Sequence, residues 1–65
     1  MIKMLRSDYQ LIVDMLLHMM DDAEGKYSET CGDPKKQDVF YREIGRSRGA
    51  SEALHWFFDN TDITY

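Results

Sequence analysis

The chain has 65 residues, a net charge of −4 and a pI near 4.9. A domain this short buries only about 60% of the surface its unfolded chain exposes and leans on a staple; with Cys31 as the single cysteine, an intrachain disulfide is excluded, and no Cys/His set has the spacing of a structural zinc. The acidic balance argues against general nucleic-acid binding, which needs Lys and Arg to displace counterions from phosphates.

Residues 2–24 predict a first helix. At about 100° per residue, Ile2, Leu5, Tyr9, Ile12, Val13, Leu16, Met20 and Ala23 form one apolar stripe. Met4, Leu11, Met15 and Met19 form a second stripe beside it, leaving Lys3, Gln10, Asp14, His18 and Asp21 as the polar wedge. An ordinary surface helix hides one stripe roughly 100° wide, so this helix is expected to need partners on two sides. It starts near residue 2 or at Ser7. Ser7-Asp8-Tyr9-Gln10 matches a capping box, which would leave residues 1–6 as a lead-in arm. Gly25 suits the left-handed position after a helix and is expected to end it at Glu24.

Residues 25–37 read as a loop, with two glycines, the single proline and Gly32-Asp33-Pro34 as the sharpest turn signal. A second helix over about 35–59 follows, with Asp33 as N-cap and Pro34 in its first turn. Its main stripe is Phe40, Ile44, Ser47, Ser51, Leu54, His55 and Phe58, and Asn60 can end it in the left-handed region. The tail, residues 60–65, alternates polar and apolar side chains. It is β-like but too short to stand alone, so it is expected to fray or to pack on a neighbour. Residues 1–24 carry a net charge of −3 and residues 39–58 a net +1, which favours packing one helix on the other.

Gly45, Gly49 and Ala53 are spaced four apart, near Tyr41 and Trp56. Each glycine inside a helix costs about 1 kcal/mol relative to alanine, so the ladder needs a reason. Close approach of another backbone is one, as in small-xxx-small motifs. A break is the other, and then Arg46, Ser47 and Arg48 could offer guanidinium forks, a hydroxyl and free amides to an anion. No Walker-type or dinucleotide fingerprint accompanies them.

Asp14, His18 and Asp21, with His55 across the hairpin, are the nearest approach to a metal set. They lack the Glu-x-x-His pairs of helical metal centres and read more simply as a solvated helix face. Cys31 has no base placed to lower its pKa. No nucleophile, base and oxyanion donor assemble, so no enzyme activity, cofactor or metal is expected. Asp8 and Asp14 interrupt the apolar stretch that a secretory leader would need. No apolar run approaches the roughly 20 residues that span a bilayer. With an unpaired cysteine, a cytoplasmic location is expected.

The sequence therefore predicts a single all-α domain over residues 1–65, an antiparallel two-helix hairpin that dimerises or builds a higher oligomer. Met4, Leu11, Met15, Met19, Tyr41, Gly45, Gly49, Ala53 and Trp56 are the expected partner interface. In size, acidity and lack of catalytic groups the chain resembles the small accessory proteins that bacteriophages encode, many of which block host or defence machinery; no diagnostic motif carries that likeness. It implies a cytosolic adaptor or inhibitor that binds a larger protein, in the bacterial host cytosol if phage-encoded. Two alternatives stand beside it. One is an oligomer that sequesters a nucleotide or phosphate through Arg46 and Arg48. The other is an acidic decoy for a nucleic-acid-binding protein, using Asp8, Asp14, Asp21, Asp22 and Glu24.

Overall fold

The computed structural model describes residues 1–64. Strand β1 (Ile2–Leu5) leads into helix α1 (Arg6–Thr30), and helix α2 (Gln37–Asn60) runs back to strand β2 (Thr61–Thr64). The helices pack as an antiparallel hairpin. Tyr65, the last residue of the expected tail, lies outside the described residues.

The seam of the hairpin is a heptad pattern. The less exposed positions of α1 are Tyr9, Val13, Leu16, Met20, Ala23, Tyr27 and Thr30, with Ile12 beside them. Those of α2 include Phe40, Glu43, Ser47, Ala50, Leu54 and Phe57, with Ile44 alongside. Both series alternate steps of three and four, the 3.5-residue repeat that keeps one narrow seam facing a partner helix. Aromatic pairs close the two ends. Tyr9 meets Phe57 with ring centroids 5.0 Å apart, and Tyr27 meets Phe40 edge-on at 6.1 Å. Between them the seam uses small residues, and Ala23 and Ala50 are fully or almost fully buried.

Continuation of the seam explains why α1 runs past Gly25. Tyr27 and Thr30 hold seam positions beyond the glycine, so their packing outweighs the roughly 1 kcal/mol that a mid-helix glycine costs. The expected 25–37 loop shrinks to Cys31–Lys36, and the positive φ falls on Gly32 (82°). Cys31 at φ −60° and ψ 124°, then Gly32, form a type II turn closed by Asp33 N–H donating to the Thr30 carbonyl at 3.2 Å. A second turn follows at once, with Pro34 in its second position and Lys36 N–H donating to the Asp33 carbonyl at 3.1 Å. The Asp33 carboxylate accepts from Lys35 N–H at 3.0 Å, so it braces this turn and does not cap α2, which starts later than Pro34.

Two other expected caps are replaced. The Ser7–Gln10 box does not form: the chain enters α1 through extended Leu5, and Gln10 Nε2 donates instead to Asp14 at 2.9 Å. Asn60 is not left-handed. Its Nδ2 donates to the Trp56 carbonyl at 2.8 Å and satisfies the helix end from the side chain.

Residues 2–5, expected as a first helical turn or an arm, and the tail, expected to fray or dock elsewhere, pair with each other. β1 and β2 run parallel, with Ile2 opposite Thr61 and Leu5 opposite Thr64. Thr61 adjoins the end of α2 and Leu5 adjoins the start of α1, so both strands run from α2 towards α1 across the open end of the hairpin. Four strand residues reach about 13 Å, enough to bridge helices packed about 8–10 Å apart. Met4 and Ile63 lie half-buried together, Lys3 is in register with Asp62, and Thr64 Oγ1 donates to the Met4 carbonyl at 3.2 Å.

The main stripe of α2 is also rotated from the expected one. Phe57, Ala50 and Glu43 are its buried residues, whereas Phe58 and His55 are exposed. The charge at Glu43 and the small side chain at Ala50 hid the seam from a search for large apolar residues. α2 is continuous through Gly45 and Gly49.

Candidate protein-docking face

The Cα trace measures 50 × 17 × 10 Å, a plate about one helix thick. Such a plate buries only what lies along its seam. Leu11 (68% exposed), Met15 (56%) and Trp56 (57%) therefore stand in solvent, as do Met19 and Tyr41.

An ion-pair cluster shows which of these share a face. Arg46 Nη2 donates to Asp22 Oδ2 across the hairpin at 2.8 Å, while Nη1 donates to Glu43 at 3.0 Å. At about 100° per residue, Leu11, Met15 and Met19 lie within about 60° of Asp22 on α1. Gly49, Ala53 and Trp56 lie within about 80° of Arg46 on α2. All six therefore flank the same side of the plate. The aromatic pairs and the Asp22–Arg46 bridge set the antiparallel register, placing Leu11 level with Trp56 and Met19 level with Arg48. The face thus has a ridge of long side chains on α1 beside a furrow of small ones on α2. A Cβ placed on Gly49 would meet nothing within 4 Å, so the hairpin itself makes no use of the furrow.

Three expected interface residues sit elsewhere. Met4 leaves the methionine stripe because it belongs to β1 and is half-buried against the ribbon. Tyr41 and Gly45 lie further round the outside of α2, and Tyr41 meets Phe40 edge-on at 5.4 Å.

The electrostatics of the face centre on Asp22. Hydrogen bonds from Lys26 and then from Arg46 hold its carboxyl below the ordinary carboxylate value, and the same bond to Asp22 raises Arg46. Glu43, buried in the seam, is held by Arg46. This network was not anticipated; the signal available was a carboxylate at a heptad core position three residues before an arginine.

The expected anion cradle does not form within one chain. The helix is continuous, so residues 45–49 offer no free amides. Arg46 is engaged by two carboxylates, and Arg48 projects about 200° round the helix from it. Arg48 instead edges a shallow hollow with Tyr27, Ile44 and Ser47. Asp14, His18 and Asp21 line another shallow hollow with Leu17, and among the described residues no three metal-ligating side chains gather. Cys31 is an exposed thiol in the turn. Among the described residues no helix is long and apolar enough to cross a membrane.

Comparison with protein-family models, with curated proteins and with solved structures finds no match to this chain.

Proposed function

We propose that this chain is a small protein-binding module that acts by covering a surface of another polypeptide. In that role it serves as an adaptor, or as an inhibitor that occupies a larger protein. The observation that carries this reading is an inverted distribution of apolar bulk. The buried apolar core consists of Ala23, Ala50 and Phe57, while Leu11, Met15, Met19 and Trp56 lie in solvent, as do Leu5, Leu17, Tyr41 and Phe58; the first four flank the Asp22–Arg46 side of the plate. Monomeric soluble proteins rarely leave so contiguous an apolar area uncovered unless something docks there. Tryptophan is a favoured binding anchor, and methionine adapts to irregular partner surfaces.

The test is co-purification at physiological salt. The tagged chain should carry a stoichiometric polypeptide, its own kind or another. Trp56→Ala should weaken that complex by roughly thirtyfold, the loss typical of an interface anchor. A chain that stays alone, folded and bare at every concentration overturns the reading.

A further inference from the structure

We propose that the occupant of this face is a second copy of the chain, related by a two-fold axis running along the hairpin, so that α1 of each copy lies against α2 of the other in a four-helix bundle. This names the partner of the docking face and rests on the protein-binding reading above.

The face is complementary to itself. Its ridge, Leu11-Met15-Met19, and its furrow, Gly49-Ala53, both step by four residues, so they have the same rise per step. A two-fold interface must match one patch to its own copy. An axis along the hairpin lays each ridge in the other copy's furrow. Met15 then sits within one residue's rise of Ala53, and Met19 within one of Gly49, of the second copy, because the register within one hairpin already sets those levels. An axis across the hairpin would stack ridge on ridge and leave the two furrows facing across a void.

Charge selects the same arrangement. α1 (Arg6–Thr30) sums to −4 and α2 (Gln37–Asn60) to −1. The axis along the hairpin opposes strongly acidic α1 to the nearly neutral α2 twice, whereas the axis across it opposes α1 to α1 and so carries more repulsion. Leu11, Met15, Met19 and Trp56 are 68%, 56%, 37% and 57% exposed, and together with the furrow, Asp22 and the Arg46 stem they contribute to the about 800 Å² per partner that a stable interface covers.

Sedimentation velocity over a dilution series tests this, beside Gly49→Leu. Leucine at 49 points into open space in the single hairpin, so helicity by circular dichroism should be kept while the furrow is filled. The expected result is a wild-type dimer that Gly49→Leu weakens at least tenfold. In chains carrying Cys31→Ser, a Met15→Cys chain mixed with an Ala53→Cys chain should oxidise to a mixed covalent dimer. A monomer at all concentrations overturns the proposal, as do a dimer indifferent to Gly49→Leu and rapid self-pairing of the Met15→Cys chain. A monomer that still holds a foreign polypeptide through Trp56 removes the second copy but keeps the docking reading, whereas a bare monomer removes both.

Discussion

The glycines of α2 give the sharpest prediction about the single hairpin. Gly45 and Gly49 are interior to a continuous 24-residue helix, and a methyl group at either would touch nothing. Glycine there costs about 1 kcal/mol relative to alanine through backbone entropy. Gly45→Ala with Gly49→Ala should therefore stabilise the monomeric hairpin by about 2 kcal/mol. In a domain of this size each kcal/mol moves the melting temperature by roughly 4–8 °C, so the pair should raise it by about 10 °C. The measurement is thermal unfolding by circular dichroism in dilute solution, where association does not contribute. An unchanged or lowered midpoint would show that residues 45–49 do not form plain helix in solution and therefore present no furrow. If the rise is seen, the natural sequence forgoes that stability for a reason outside the single hairpin, as an occupied furrow requires.

Other perturbations probe the rest of the frame. Phe57→Ala removes the largest buried side chain and its ring contact with Tyr9; at about 3–5 kcal/mol for a buried phenylalanine it should unfold most of the protein at 25 °C, read by loss of helical dichroism. Thr61 Oγ1 is buried without a hydrogen-bond partner, so the same-shaped Thr61→Val should raise stability by about 1 kcal/mol in urea titration, and a loss would reveal a hidden partner. Arg46→Ala should lower the melting temperature more than Asp22→Asn does, because only the former leaves buried Glu43 without its cation. The folded state depresses the Asp22 carboxyl below its ordinary value of 3.8 through the hydrogen bonds from Lys26 and Arg46. Its contribution is therefore complete above that value and fades as pH falls through the lower folded-state value. The gap between wild type and Asp22→Asn should be constant near neutrality and close in acid; a gap that widens in acid would reverse the sign.

The hairpin was legible because its signals were local and periodic. The α1 stripe of Tyr9, Ile12, Val13, Leu16, Met20 and Ala23 reads directly from spacing, and so does the adjacent row of Leu11, Met15 and Met19. What was missed depends on distant partners. Gly25 looked like a stop because local propensity says so, but Phe40 holds Tyr27 from the other helix. Phe57 and Phe58 are adjacent and chemically alike, and only the register of α2 against α1 decides that the first is buried and the second is not. The ribbon was illegible for the same reason. Neither four-residue strand signals its partner almost sixty positions away, and neither would hold alone.

The placement of small residues in the seam accounts for the outer face. Ala23, Ser47 and Ala50 occupy positions where a stable solitary hairpin would carry leucine or isoleucine. Small seam residues let two helices approach closely, but they provide little apolar burial, about 0.8 kcal/mol for each methylene forgone. The sequence places its bulk instead on Leu11, Met15, Met19 and Trp56, where it yields nothing until a second surface arrives. Moving that bulk inward, with Ala23→Leu and Ala50→Leu, would push the helices apart and disturb the level at which ridge and furrow meet. A thin seam and a loaded face are thus two parts of one arrangement, and the proposed docking would bury between molecules what the single hairpin leaves exposed.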